Sequence, residues 1–242
     1  MFVRPGILLR RRVRGADFRA GSLPPGVTFT RASGGTLIGG AGSLLEVGVD
    51  EPRFDNTLAG QPLGLLVEPT RTNLFVNPRN NNTTAGVIGS GGQIGNQSAV
   101  IVAAGLTFEV LGVETRRGVP GVNLRIFGTG TGALARLRFS GTGDVTVTGG
   151  MCQASLYTEC DPAEWAALAS TNPLLVRATG QGVTVGVGIP GAFARQTGEG
   201  AFSSGTRGLE LNFTTATTPA DMVLWFGGVQ IEEAAAPATS LA

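Results

Sequence analysis

VNLRIFGTGTGALARLRFSGTGDVTVTG, residues 122–149, decides the fold. Leu124 and Ile126 alternate with Asn123 and Arg125, and Ala135, Leu137 and Phe139 alternate with Arg136 and Arg138. A period of two is the mark of a strand with one face buried and one face wet. The Gly-Thr run between the two pieces is a turn, because glycine supplies the backbone angles that tight turns require. GTGTGALA, residues 128–135, has the look of a phosphate loop, but the next piece, ARLRFS, alternates like a strand. Phosphate binding of that kind needs a helix N-terminus, so the run is read as a plain turn. GSGGQIG, residues 89–95, fails in the same way. Arg125, Arg136 and Arg138 are expected to share an outer face or an exposed edge, where charge discourages pairing with another chain.

The same signature recurs on both sides. SAVIV, LTFEVLGVE, LLVRATG, VTVGVGI, LELNF and MVLWFGGVQIE are strand-like, and turn signals such as RRGVPG separate such pieces. Repeated short strands with this spacing argue for an all-β fold, an antiparallel sandwich or jelly roll. Residues 76–242 are assigned to it. One helix interrupts the pattern, DPAEWAALAS, with Asp161 as N-cap, Pro162 at the first helical position and Glu164 at the third. It is short and must lean on the sheet, through Trp165 and Leu168.

Upstream, residues 23–75 read as a smaller β-rich latch module. TLI and LLEV are short strands joined by a Gly turn, and GLLV is a short buried strand. EPRFDNTLAGQPLGLLVEPTRTNL, residues 51–74, holds three prolines and a dense set of charges. Arginine forks grip carboxylates in fixed geometry, which can set a register when buried. Arg53, Asp55, Glu68, Arg71 and Asn73 are therefore taken as a structural latch. Residues 1–22 form an extended N-terminal arm, with Arg10, Arg11, Arg12 and Arg14 as a docking cluster for an acidic partner surface.

Composition removes much chemistry. Among 242 residues there is no histidine, and all 18 basic residues are arginine. Ser-His-Asp and Cys-His catalysis, histidine metal sites, a P-loop lysine and Schiff bases are thereby excluded. Cys152 and Cys160 are too few for a four-cysteine zinc site and are read as free thiols rather than a bridge. A net charge of +1 gives little pull toward nucleic acid. No segment is long and apolar enough to span a bilayer, and the N-terminus lacks a secretory core. Glu159, Asp161 and Glu164 could supply paired carboxylates for glycoside hydrolysis, but helix capping already accounts for Asp161 and Glu164. Trp165, Trp225 and Tyr157 could stack on sugars. Trp225, inside MVLWFGGV, is read as packing rather than platform.

GVTFTRAS (residues 26–33), EPRFD (51–55) and GLLVEPTRTNL (64–74) occur in this order, and WFGGVQIEEAAAPATS (225–240) closes the chain. Together they resemble a module of tailed-bacteriophage and prophage-derived virion proteins, with Pro69 where that group usually has an acidic residue. The tail also lacks the group's Tyr-Ile-Pro ending. The resemblance implies an appendage protein, a tail fibre, baseplate or head spike of a phage or gene transfer agent, carrying a jelly roll of carbohydrate-binding-module type. It implies a structural, non-enzymatic role without cofactor or metal, and contacts with capsid, portal, baseplate or fibre subunits. A homo-oligomer, trimer or pentamer, is expected on a particle's symmetry axes. The protein would be made in the bacterial cytoplasm and released by lysis. The alternative is a carbohydrate-binding adhesin for host capsule or lipopolysaccharide; a weaker third reading is a glycan-degrading enzyme.

Overall fold

The computed structural model describes residues 17–30, 35–57, 59–66, 80–95, 98–139, 145–169, 174–178, 184–188, 190–207 and 209–233. The chain divides into two compact units, 1–70 with 117–119, and 71–116 with 120–242. Arg10, Arg11, Arg12, Arg14, Glu68, Arg71 and Asn73 lie outside the described residues.

In the first unit a short 3-10 turn, Phe18–Ala20, starts at Asp17, whose carboxylate accepts the Arg19 N–H at 2.9 Å. Strands β1 (Gly35–Ile38) and β2 (Leu44–Val47) form the hairpin expected from TLI and LLEV. The turn closes with the Gly39 N–H donating to Ser43 O at 2.8 Å. Strands β3 (Phe54–Asn56) and β4 (Pro62–Leu65) form a second antiparallel pair. The strand expected at GLLV starts two residues earlier, at Pro62, and only Gly64 within it is buried. Proline is tolerated there because the first residue of a strand need not donate to the ladder. Two polar side chains of β3 fasten β1. Asp55 Oδ1 accepts the Ile38 N–H at 2.6 Å, and Asn56 Nδ2 donates to Ile38 O at 2.7 Å.

The second unit is an antiparallel jelly-roll sandwich. Its strands are β5 (Gly86–Val87), β6 (Ser98–Val102), β7 (Leu106–Arg116), β8 (Val119–Thr129), β9 (Leu134–Phe139), β10 (Val145–Val147), β11 (Gly150–Glu159), β12 (Leu174–Ala178), β13 (Thr184–Gly188), β14 (Ala194–Phe202), β15 (Gly205–Arg207), β16 (Leu209–Thr214) and β17 (Pro219–Glu233). One sheet has the order β14-β11-β17-β8-β7-β5, and the other β13-β12-β16-β9-β6; β10 pairs with β15 apart from both. The inner faces meet in one apolar core. Val122, Leu124, Ile126, Met222, Leu224 and Phe226 come from the first sheet, and Ala135, Leu137, Leu211 and Phe213 from the second. Phe108 and Phe213 touch across the gap with ring centroids 6.4 Å apart. Burying each such side chain contributes about 1.5–3 kcal/mol.

Helix α1 (Pro162–Leu168) lies where the sequence predicts it. Asp161 Oδ1 accepts from the Ala163 N–H at 2.7 Å and the Glu164 N–H at 3.4 Å. Trp165 and Leu168 are its buried pair, and Trp165 meets Phe213 edge-on at 5.3 Å. Within the run at 128–135, residues 130–133 form the turn between β8 and β9, and the flanking residues belong to the strands. At Gly130 a Cβ would fall 2.0 Å from Ala216 O, so no larger residue fits there. Cys152 and Cys160 are free thiols, the first buried and the second half-buried.

One expectation is corrected. Arg125 lies on β8 of the six-stranded sheet, and Arg136 and Arg138 lie on β9 of the five-stranded sheet. Alternation with buried Leu124, Ile126, Ala135 and Leu137 turns all three outward, but on opposite sides of the sandwich. A period of two fixes inward or outward; it carries no information on which sheet a strand joins.

Strand β17 contains an extra residue. Ser155 of β11 pairs with Gln230 and Tyr157 pairs with Gly227, so two steps on β11 oppose three on β17. Gly228 takes the left-handed conformation, φ 58°, that such a bulge favours. Before it, Met222, Leu224 and Phe226 face the core; after it, Val229 and Ile231 do.

Candidate functional site

The outer face of the six-stranded sheet carries the densest set of ordered polar and aromatic groups among the described residues. Backbone register lays them out in rows. Glu159, Trp225 and Asn123 are neighbours across β11, β17 and β8. The next row runs Arg195, Tyr157, Gly227 and Gly121, and the row beyond pairs Thr197, Ser155 and Gln230.

Trp225 is the foundation. Its neighbours Leu224 and Phe226 belong to the core, so the indole points to the outer face, yet it is 0% exposed. It lies over Gly121, where a Cβ would come within 2.4 Å of the ring. The indole N–H donates to Glu114 O at 3.1 Å. Phe193 packs against it at 5.5 Å and stacks in turn on Tyr157 at 5.2 Å. Tyr157 and Phe193 are themselves buried. Trp225 therefore is packing rather than platform, but its packing is on the outer layer and not between the sheets.

Arg116 covers this aromatic layer, its guanidinium carbon 5.6 Å from the Trp225 ring centre. It donates to Glu114 Oε2 from Nε at 3.1 Å and from Nη2 at 2.9 Å, to Glu159 Oε2 from Nη1 at 3.0 Å, and to Asn123 Oδ1 at 3.2 Å. Asn123 Nδ2 completes the ring with a bond to Glu114 Oε2 at 2.9 Å. Burial opposes the charge on Arg116, but the hydrogen bonds it donates to Glu114 and Glu159 outweigh it and hold its pKa above the ordinary value. Hydrogen bonds from Arg116 and then Asn123 hold the Glu114 carboxyl below the usual range. All three bonds to Glu114 fall on Oε2, which leaves Oε1 without a hydrogen-bond partner among the described residues.

A second cluster sits on the same face. Arg125 grips Asp221 as a fork, Nε to Oδ1 at 2.8 Å and Nη2 to Oδ2 at 2.7 Å, and reaches Glu109 at 3.2 Å. Its guanidinium carbon lies 4.4 Å from the Phe127 ring centre. The hydrogen bonds that Arg125 donates to Asp221 and Glu109 raise its pKa, and the bond from Arg125 lowers that of Asp221. A third cluster joins Arg195 Nη2 to Ser155 Oγ at 2.9 Å and to Gln230 Oε1 at 2.8 Å.

The sequence singled out Tyr157, Glu159 and Trp225 from this face, and the structure brings them together. It separates Glu159 from Asp161, since Glu159 bonds Arg116 while Asp161 caps α1. Arg53 and Asp55 of the latch belong to the first unit, where Asp55 holds a backbone N–H of β1. Arg116, Asn123, Glu114, Arg195, Ser155 and Gln230 were not anticipated as site residues. The available signal was the polar half of each alternating strand, Gln153-Ser155-Tyr157-Glu159 above all. Among the described residues no group of three or more histidine, cysteine, aspartate or glutamate side chains could hold a metal ion. No described helix is long and apolar enough to cross a membrane.

Comparison with protein-family profiles and with curated proteins finds no match. Among solved structures, the chain is similar to a carbohydrate-binding module of lichenase 5A from Cellvibrio mixtus, solved with cellotriose. That likeness has 15% identity, 63% of this chain, 99% of the module and a TM-score of 0.35. It is also similar to the CBM22-1 xylan-binding domain of Paenibacillus barcinonensis Xyn10C, at 16% identity over 67% of this chain and 91% of that one, TM-score 0.35. A third is the enzymatically active domain of bacteriophage CBA120 tailspike protein 4, at 11% identity over 66% of this chain and 21% of that one, TM-score 0.31. At these identities and scores none of the three assigns a ligand or a role to this chain.

Proposed function

We propose that the second unit is a carbohydrate-recognition module, and that the chain is a non-catalytic part of a surface appendage on a phage-like particle. The observation that carries the first half is the ring of Arg116, Glu114, Asn123 and Glu159 held over buried Trp225. A sugar hydroxyl both donates and accepts, so a surface that offers amide, carboxylate and guanidinium side by side suits it. These planar groups are already fixed by one another and by the aromatic layer beneath, which reduces the ordering cost on binding. Arg116 and Glu159 are partly exposed and Glu114 is exposed, with side chains 29%, 35% and 47% accessible, so a ligand can reach them.

The test is calorimetry of the full chain against bacterial capsule and lipopolysaccharide oligosaccharides, beside Asn123→Ala. Binding that falls at least about tenfold in the variant, in line with the loss of a paired polar contact, supports the reading. Equal binding by both proteins, or none by either, overturns it. Progressive shortening of the polymer by wild-type protein would instead make the chain a glycan-degrading enzyme.

The second half rests on the ordered motifs at 26–33, 51–55, 64–74 and 225–240. In this reading the arm docks to capsid, portal, baseplate or fibre subunits, the chain assembles as a trimer or pentamer, and it leaves the bacterial cytoplasm by lysis. Labelled protein in electron micrographs of purified particles should mark tail tips, baseplates or head vertices. Particles without label, from cells that express the gene, would refute it.

A further inference from the structure

The three arginines on the outer face of the six-stranded sheet are not equivalent. Arg116 is bonded to two carboxylates, and Arg125 is bonded to two. Arg195 is exposed, and its described partners are both neutral, Ser155 Oγ and Gln230 Oε1. Both bonds use Nη2, so Nε–H and the two Nη1–H donors meet no described residue. Ser155 Oγ also bonds Gln230 Oε1 at 3.2 Å, and Ser155 is 3% exposed. The guanidinium is thus oriented by a partly buried polar anchor, and no described acid is bonded to it. Tyr157 is its cross-strand neighbour, and Phe193, two residues upstream, stacks on that tyrosine.

We propose that Arg195 receives the carboxylate of an acidic sugar, so that the face selects polysaccharides containing uronic or related sugar acids. This rests on the carbohydrate-recognition reading above and deepens it. An oriented guanidinium donor gives a carboxylate charge-assisted hydrogen bonds that a hydroxyl cannot match. Of the acids on the face whose side chains are described, Glu114, Glu159, Glu109 and Asp221 are tied to the other two arginines. Arg195 lies three strands and one row from Asn123, about 16 Å between backbones at the usual spacings, which suits a short oligosaccharide laid across the rows. One end would meet the Arg116–Asn123 ring and the other Arg195.

The experiment measures affinity of the full chain for oligogalacturonides, oligoglucuronides and sialylated oligosaccharides, each beside its methyl ester. Neutral oligosaccharides of the same length complete the panel, and Arg195→Gln, Arg195→Lys and Asn123→Ala are the variants. At least one acid form should bind about tenfold or more tightly than its ester, with the difference shrinking in high salt. Arg195→Gln should abolish the preference for acid over ester, while Arg195→Lys keeps part of it. Unchanged melting of Arg195→Gln shows that the effect is not misfolding. If acid and ester bind alike, or Arg195→Gln preserves their ratio, the carboxylate subsite is wrong. The carbohydrate reading then still stands, provided that Asn123→Ala weakens ester binding. If no oligosaccharide of any charge binds, both fall. Inorganic phosphate that displaces the acid at equal concentration would reassign the subsite to phosphate and overturn the carboxylate assignment.

Discussion

Trp225→Phe tests whether the aromatic layer on the outer face is a fixed part of the fold. Replacing indole by phenyl removes roughly 40 Å3 from a fully buried position, about 1 kcal/mol at the usual cost of a partly relaxed cavity. The N–H bond to Glu114 O is lost, worth about 1 kcal/mol net. The contact with Arg116 weakens, by about 0.5 kcal/mol for a half-exposed cation. The expected destabilisation is about 2–3 kcal/mol, or a fall in Tm of about 5–10 °C for a unit of this size. The substitution leaves Trp165 as the single tryptophan, buried against Phe213 in the sandwich core. Its fluorescence during urea unfolding therefore reports the second unit directly. The slope of free energy with urea should stay unchanged, since the same surface is exposed. A loss below about 0.5 kcal/mol would refute the reasoning, because surface substitutions away from packed features show no more than that.

Gly121→Ala should destabilise by about 1–3 kcal/mol in the same assay, since its Cβ would drive into the indole at 2.4 Å; wild-type stability would show that the ring can slide aside. Asn212 is fully buried on the outward side of β16, and neither Nδ2 nor Oδ1 meets a partner among the described residues. Asn212→Leu should accordingly stabilise by about 1–3 kcal/mol in chemical denaturation, and a loss of stability would mean that the amide is satisfied. Hydrogen bonds from Arg116 and Arg125 lower the pKa values of Glu114 and Asp221 in the fold. Their stabilisation is thus present above the unfolded carboxylate range and lost as pH falls through the folded values. The Tm of wild type should fall more steeply below about pH 4 than that of a Glu114→Gln, Asp221→Asn double variant; parallel curves would count against the two clusters. Burial, and then the charges of Asp161, Glu164 and Glu159, push the Cys160 thiol up to about 12. A thiol reagent at pH 8 should leave native protein unmodified, and prompt labelling of Cys160 would contradict its surroundings.

The inner half of the sandwich could be read from the chain because each core position repeats a strong signal. SAVIV, LTFEVLGVE, LELNF and MVLWFGGVQIE pair large apolar residues with polar ones, and each became a strand. The capped helix was equally plain, since Asp161, Pro162 and Glu164 act within one turn. Strands β11 and β14 escaped. In GMCQASLYTE the inward positions include Cys152, Leu156 and Thr158, of which only the leucine is large and apolar, and ARQTGEGAF is rich in glycine. These two strands carry Tyr157, Glu159, Ser155 and Arg195, so the face they frame could not be assembled from sequence. Trp225 shows the complementary difficulty. Residues in MVLWFGGV are apolar on both sides, and it takes the pairing with Asn123 and the contact with Gly121 to show that the indole lies outside the core.

The bulge at Gly228 makes length, not chemistry, the sensitive variable in the last strand. Trp225 and Gln230 are five positions apart, an odd interval that an unbroken ribbon would send to opposite sides. The extra unit cancels that inversion and lets one continuous segment serve both the Arg116 and the Arg195 neighbourhoods. With the bulge kept, one residue inserted between 229 and 230 would turn Gln230 inward and Ile231 out to water, whereas loss of Gly228 itself would straighten the ribbon and keep Trp225 and Gln230 on one side. Descendants of this gene should therefore tolerate many exchanges along the segment, and loss of the bulge residue, while rejecting one-residue insertions that leave the bulge in place.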